Sequence, residues 1–264
     1  MQEQDSPQWI PPPPPERIVP DEQPEMSEMA TLGNIFFEPG RVFEDLRRKP
    51  RFIAATIVAV ILITAFTFAI YYKVGDERMR DFAAEQIDKG PGGSSMSRED
   101  RENAINMSST IGTVARYAMP VLVIIGLLIG GLIYWLASKV FGGTGGFLHA
   151  LSTWIYSSFP PLVLSMLASF VALAFKNPDD IDMEAVQSGS GVLPSSLAAL
   201  VDGKAMPFPA AFLSMFDLFL IWGWALAIIG LQKTMRMSSG SAWAITLILA
   251  AVHLSFKLIG AAFK

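Results

Sequence analysis

The sequence predicts an all-α polytopic membrane protein with five transmembrane helices, a kinked third span and a disordered proline-rich N-terminal tail. The first observation is the composition: of 264 residues, 52% are hydrophobic and 17% are charged, and the mean hydropathy is +0.41. Average soluble domains carry about 25% charged residues, which their water-facing surfaces need. The second observation is a series of five long apolar segments, and the third is the acidic, proline-rich stretch before them.

The composition also excludes several classes of function. The chain has no cysteine and two histidines, so we expect no thiol chemistry, no metal site and no cofactor. A net charge of −4 and a pI near 5.3 argue against nucleic-acid binding, which requires a concentrated basic surface. The sequence motifs of serine hydrolases, zinc proteases and phosphate-binding loops do not occur in the chain. We therefore do not expect an enzyme.

Residues 1–28 form the predicted tail. Pro11–Pro15 is an unbroken proline run, and seven acidic residues accompany a single base, Arg17. Such a segment buries too little apolar surface to order itself, and the proline run favours an extended polyproline II conformation. Two roles remain open: a solvated tail, or a docking peptide with Trp9 and Ile10 as anchors that recruits protein partners.

Residues 29–50 form an amphipathic entry segment, because apolar residues recur at helical spacing and charged residues cover the other side. Pro39 and Gly40 interrupt the pattern, so we expect two short helices, with Pro39 near the start of the second. A base-rich amphipathic segment just before a span usually lies flat at the membrane interface. A partner-binding role is the alternative. The candidate interfacial or partner-binding residues are Phe36, Phe37, Glu38, Pro39 and Phe43.

Residues 51–264 form the predicted five-span membrane domain. A helix needs about 20 apolar residues to cross about 30 Å of hydrocarbon, and five segments meet this requirement. Gly126 and Gly130 form a GxxxG pair, which is typical of helix packing in lipid. The predicted spans are about 52–72, 117–138, 147–175, 210–232 and 243–263.

The third span, 147–175, contains Pro160 and Pro161 near its middle. Each proline removes one backbone donor and disturbs the preceding turn, so we expect a kink. Ser157, Ser158 and neighbouring helices would then satisfy the freed carbonyls. The alternative is a re-entrant hairpin, which would reverse the side of everything that follows.

Three ionisable residues lie within the last two predicted spans, where charge is costly and is by default a hypothesis of function. Asp217 and Lys257 are each about 9 Å below the same membrane boundary, and His253 lies one turn deeper than Lys257. Three interpretations of these ionisable residues are open. Lys257 snorkels to the interface while Asp217 faces a polar gap, the two form a structural ion pair, or a proton or ion path runs through His253.

The density of basic residues favours an N-terminus inside and a C-terminus outside. Arg47, Arg48, Lys49 and Arg51 adjoin the first span, and basic residues in short flanking segments mark the cytoplasmic side.

Three stretches resemble the Yip family of five-span membrane proteins that interact with Rab GTPases, and most closely its prokaryotic branch. The likeness covers residues 30–262, approximately, and its strength lies in the order and spacing of the motifs. The stretches are Ile35–Phe43 with Leu46 and Pro50, Phe141–Phe147 leading to Tyr156 and Pro160-Pro161, and Phe216–Phe219 with Ile221-Trp222 and Gly230-Leu231.

The resemblance implies a prokaryotic cytoplasmic-membrane protein without an assigned activity or catalytic residues. Eukaryotic members are similar to trafficking factors that bind GTPases and carry an Asp-Leu-Tyr-Gly-Pro motif. This chain lacks that motif, so the resemblance gives no support to GTPase binding.

Two alternative functions are expected for the chain. The first is a non-catalytic scaffold or adaptor for membrane organisation or trafficking. The alternative is a small oligomeric transporter or channel that uses Asp217, His253 and Lys257. A homo-oligomer would supply the pathway that five spans lack.

Overall fold

The computed structural model describes residues 23–90, 92–187, 192–203 and 205–262. Within these ranges the protein is helical and contains no β-strand, only an isolated bridge between Ser196 and Asp217. The helices are α1 Glu28–Asn34, α2 Pro39–Arg48, α3 Ile53–Val74, α4 Asp76–Lys89, α5 Arg98–Val140, α6 Phe147–Phe175, α7 Met183–Gln187, α8 Pro207–Leu213, α9 Leu218–Thr234 and α10 Ser239–Ala262.

Four of these helices, α3, α5, α6 and α10, are long and apolar enough to cross a membrane. The predicted fourth span, 210–232, is not one helix: α8 ends at Leu213, and α9 begins after Asp217. The division has a local cause, because the Asp217 carboxylate caps the N-terminus of α9. The fifth crossing therefore rests on α9, an apolar helix of 17 residues, and it stays a prediction.

The two ends of α9 contact opposite ends of the bundle. At its start, Asp217 is hydrogen-bonded to Ser195 in the segment before α8. At its end, Lys233 lies 2.5 Å from Glu44 of α2. We call the end that carries α2 the N-terminal end of the bundle, and the other the distal end. The helices α3, α6 and α10 start at the N-terminal end, whereas α5 and α9 end there.

The helix α5 is much longer than the span predicted at 117–138. It has 43 residues, which corresponds to about 65 Å. The Ser97 hydroxyl caps the N-terminus of α5, since it accepts a hydrogen bond from the Asp100 amide at 3.1 Å. No break interrupts α5 after its charged first turns, so these turns continue directly into the apolar part of the helix. The preceding helix, α4, is bonded to this extension through Asp88 and Arg101 at 2.7 Å.

The central helix is α6, which packs against α2, α3, α5 and α9. It is a single helix of 29 residues that includes both prolines, so the hairpin alternative is wrong, while the kink stays a prediction. Ser157 and Ser158 do not satisfy the carbonyls that the prolines free. Their hydroxyls donate instead to the Trp154 carbonyl, at 2.9 and 3.0 Å, because a serine hydroxyl reaches its own preceding turn most easily.

The two glycines of the GxxxG pair have different surroundings. A Cβ added to Gly130 would lie 2.1 Å from the Trp154 ring, so this glycine permits close packing of α5 on α6. A Cβ on Gly126 would have no neighbour within 4 Å, so this glycine makes no close contact within the chain. The second close approach of α5 is at the adjacent Gly131, against Leu151.

The described part of the chain begins within the predicted tail, which ends at residue 28. Residues 23–27 belong to no helix, and Glu28 is the first residue of α1. Met26 is buried, since these residues lie against α2 and the start of α3. Residues 1–22, including the proline run and Trp9, lie outside the described residues, and their disorder stays a prediction.

Candidate functional sites

The first candidate site is the segment from residue 25 to residue 51, which we call the N-terminal cap. Its two short helices, α1 and α2, match the prediction, with Pro39 at the first position of α2. The apolar side of α2 is formed by Val42, Phe43 and Leu46, and all three are fully buried. Protein therefore covers this face, whereas a helix lying flat at the interface would turn it towards lipid. The depth of α2 relative to the bilayer stays a prediction.

Phe43 and Phe36 are packing residues in this structure. A Cβ on Gly230 of α9 would lie 2.9 Å from the Phe43 ring, so the absence of a side chain at Gly230 allows α2 to approach α9. The Phe36 ring makes edge contacts with Phe159 of α6 and Trp222 of α9, at centroid distances of 6.1 and 6.3 Å. The aromatic residues of the cap thus attach it to the central helices.

The remaining candidates of the entry segment lie at the surface. Phe37 is 86% exposed. Glu38 precedes Pro39 and α2, and its carboxylate forms an exposed pair with Arg41 at 3.2 Å. Of the five predicted partner-binding residues, Phe37 is therefore the large apolar side chain that is available to a partner.

A buried ion pair holds the cap together. The Arg51 guanidinium donates to the Asp45 carboxylate and to the Met26 carbonyl, while the Glu25 amide donates to the other oxygen of Asp45 at 2.6 Å. The side chains of Asp45 and Arg51 are only 2% and 6% exposed. Sequence reasoning missed this pair because Asp45 lies on the charged side of α2 and Arg51 lies beyond Pro50. No spacing rule links them.

Exposed ion pairs surround this buried one. Glu25 lies 2.6 Å from Arg48 and 3.5 Å from Arg41, and the hydrogen bond from Arg48 holds the pKa of Glu25 below its ordinary value. Glu44 is paired with Lys233, and this hydrogen bond likewise lowers the pKa of Glu44.

Two further contacts link the cap to the long helices. The Glu28 carboxylate accepts from the Ala54 amide at 3.3 Å, at the start of α3. A ring nitrogen of His149, at the start of α6, lies 3.1 Å from the Arg47 carbonyl. The cap is thus connected to α3, α6 and α9, which fixes its orientation on the bundle.

The second candidate site is a partly open cavity of about 800 Å³ towards the distal end. Its walls are α5, α6, α9 and α10, together with residues 193–196. The break between α8 and α9 forms one side of the cavity, because polar groups of the turn between these helices line it. The predicted residues that line it are Gly130, Pro161, Asp217, His253 and Lys257.

Asp217 and Lys257 line the same cavity but form neither a salt bridge nor a hydrogen bond with each other in the described part of the chain. One carboxylate oxygen of Asp217 accepts from the amides of Phe219 and Leu220, both at 2.9 Å. The other accepts from the Ser195 hydroxyl. The Lys257 ammonium donates to the Ser214 hydroxyl at 3.0 Å. Helix capping occupies the carboxylate, and an ion pair between these two residues stays a prediction.

His253 lies on the same face of α10 as Lys257, four residues earlier, and its side chain is exposed to the cavity. It has no hydrogen-bond partner among the residues that the structure describes. No cluster of metal-ligating side chains occurs in those residues either. No described residue is therefore hydrogen-bonded to His253 in a way that could relay a proton, and a proton path through His253 stays a prediction.

The cavity is closed towards the N-terminal end. Leu231 and Met235 of α9 and its following turn pack against Ala242 and Ile245 of α10, and all four are almost completely buried. The cavity is thus a pocket with an opening, not a channel from one end of the bundle to the other.

The Yip1 domain family model matches residues 33–260, which contain most of the cap and all of the helical bundle except the last two residues of α10. The chain belongs to the Yip1 domain family. The resemblance seen in the sequence is thereby confirmed. Over 237 residues, this Yip1 protein is 28% identical to a protein of Bacillus subtilis strain 168 named membrane protein YknW. The match covers 88% of this chain and 90% of the relative. No solved structure matches the chain.

Proposed function

We propose that this Yip1-family protein is a non-catalytic adaptor of the prokaryotic cytoplasmic membrane that recruits protein partners through its N-terminal segment. The observation that carries the proposal is the buried Asp45–Arg51 pair. It ties residues 25 and 26 to α2 and to the segment before α3, so the described residues that follow the tail have a defined position. A preorganised surface loses less conformational freedom when a partner binds.

The cap also presents large apolar side chains at its surface. Phe37 is 86% exposed and Met29 is 74% exposed, while the neighbouring Phe36 is held against α6 and α9. Interfaces are enriched in aromatic residues and methionine at their centres. The acidic, proline-rich sequence of the tail suits a partner with a basic rim and an aromatic-lined groove.

The proposed orientation places the N-terminal end in the cytoplasm and the C-terminus outside. The structure brings the basic residues of the cap together with Lys233 at this end, since Lys233 contacts Glu44. This concentration agrees with the positive-inside rule. Five crossings, the last two through α9 and α10, would place the C-terminus on the other side.

Site-specific photocrosslinking in intact cells tests the adaptor proposal. A photoreactive amino acid is placed at Phe37 and, as a matched control, at Phe175, which is 87% exposed at the distal end of α6. We expect one defined protein adduct from position 37 and none of the same mass from position 175. The adduct should decline when Asp45→Asn loosens the cap. Identical adduct patterns from both positions would refute the proposal.

A second candidate function is transport, which the helix break and the charged side chains in the cavity favour. The closed N-terminal end of the pocket argues against it within one chain. Ion flux through liposomes that contain only this protein, abolished by Asp217→Asn, would support transport. Liposomes that stay as tight as protein-free ones would exclude it.

A further inference from the structure

The length of the cavity is similar to the thickness of one membrane leaflet. Along α10 it extends from Thr246 to Lys257, and the eleven steps between these residues rise about 16 Å. The hydrocarbon core of a bilayer is about 30 Å thick, so one leaflet accounts for about 15 Å. Its volume of about 800 Å³ is within the range of pockets that enclose whole ligands.

The deeper part of the cavity suits an acyl chain. Its wall includes Trp224 and Leu249. Serine hydroxyls of α6 also line it, but Ser158 and Ser165 donate to carbonyls of their own helix, Trp154 and Leu162. Hydroxyls that are already bonded cost little when an apolar chain covers them.

The distal part of the cavity suits an anionic group. An ammonium has three donors, and only one of those on Lys257 is used, by Ser214. Two donors therefore have no partner among the described residues. Among the described residues that line the cavity, the single acid is Asp217, which already accepts three hydrogen bonds, and the helix dipole of α9 further offsets its charge. The cavity thus offers one cation with spare donors and an acid that is already engaged.

We propose that this cavity binds one glycerophospholipid of the adjacent leaflet, with the phosphate on Lys257 and an acyl chain along α6 and α10. A charge-assisted hydrogen bond to a phosphate oxygen uses the spare donors of Lys257. His253, one helical turn deeper, lies beside the glycerol esters, where its ring can donate a further hydrogen bond. The site is independent of the adaptor role of the cap, which lies at the other end of the bundle.

Native mass spectrometry of the full-length chain in detergent tests this site. The protein is titrated with phosphatidylglycerol and, separately, with diacylglycerol of the same acyl chains. We expect a one-to-one adduct with phosphatidylglycerol that is about tenfold tighter than the one with diacylglycerol, because the phosphate adds a charged hydrogen bond. Lys257→Met should remove this preference, and Lys257→Arg should retain it. Lys73→Met, at the same end of the bundle but outside the cavity, should leave it unchanged.

Further arms identify the source of the phosphate and guard against misfolding. Excess inorganic phosphate should not displace the lipid, since it lacks the acyl chain. Leu249→Trp, which fills the apolar part, should weaken both lipids at an unchanged melting temperature. Equal affinity for both lipids, insensitivity to Lys257→Met, displacement by inorganic phosphate, or a protein dimer in place of a lipid adduct would each overturn the proposal.

Discussion

The guanidinium of Arg51 donates to the carboxylate of Asp45 across a bend in the chain, and both side chains are almost completely withdrawn from solvent. The same two groups also bind backbone atoms of residues 25 and 26. This contact thus joins three stretches of the cap, namely residues 25 and 26, α2 and the segment just before α3.

Asp45→Asn should destabilise the protein by about 3 kcal/mol, because it leaves the Arg51 charge buried without its partner. Thermal unfolding in detergent measures this loss. Asp88→Asn is the matched control, since Asp88 pairs with Arg101 at the surface and should cost less than about 1 kcal/mol. Equal losses in the two variants would contradict the role given to the buried pair.

The contact between Glu44 and Lys233 should make cap docking weaken in acid. The pKa of Glu44 is lowered in the folded protein by the hydrogen bond from Lys233. A lowered pKa contributes stability that is fully present above the ordinary value of 4.5 and is lost as the pH falls through the folded pKa.

Comparison of the unfolding temperatures of the parent protein and Glu44→Gln between neutral pH and about pH 3 measures this contribution. The parent should be slightly more stable at neutral pH, by less than about 1 kcal/mol because the pair is exposed. The difference should vanish in acid. A difference that is constant over the whole range would show that the pair contributes nothing.

The two glycines of the GxxxG pair should respond differently to the same substitution. Gly130→Ala forces a Cβ against the Trp154 ring and should cost about 1–3 kcal/mol. Gly126→Ala meets no neighbour and should be neutral or slightly stabilising, since alanine favours a helix over glycine. Unfolding temperatures of the two variants in detergent decide this. A larger loss at Gly126 than at Gly130 would instead indicate that this face of α5 packs against another copy.

Asp217 should tolerate substitution by asparagine but not by alanine. Asparagine can accept the amide hydrogen bonds at a helix N-cap, whereas alanine cannot and should cost about 1 kcal/mol. Unfolding of Asp217→Asn and Asp217→Ala in detergent compares the two. An ion pair with Lys257 would instead make both variants equally harmful, because both remove the charge.

The positions of the long apolar helices follow directly from the sequence, because lipid forbids polar backbone and side chains over the length of a span. The start of α5 after its N-cap residue Ser97 and the end of α4 at Gly90 also follow from local rules, since each depends on residues a few positions apart.

The break before α9 has a signal that sequence reasoning passed over. Asp217 precedes an apolar run, as an N-cap residue does, but a hydropathy window counts it as one acid inside a longer span.

The surroundings of α2 could not be predicted from the sequence. Helical periodicity shows that Val42, Phe43 and Leu46 share an apolar face, but it does not show whether lipid or protein covers that face. The Asp45–Arg51 pair depends on how α2 docks in the tertiary structure, so the sequence did not indicate this pair either.

The most direct test of the adaptor account is the composition of the complex extracted from native membranes. The full-length chain is compared with a variant that lacks residues 1–22 and carries Phe37→Ala, at matched expression and unfolding temperature. The account predicts a stoichiometric partner protein with the full-length chain and its loss from the variant. The same mass and the same composition for both chains would contradict it.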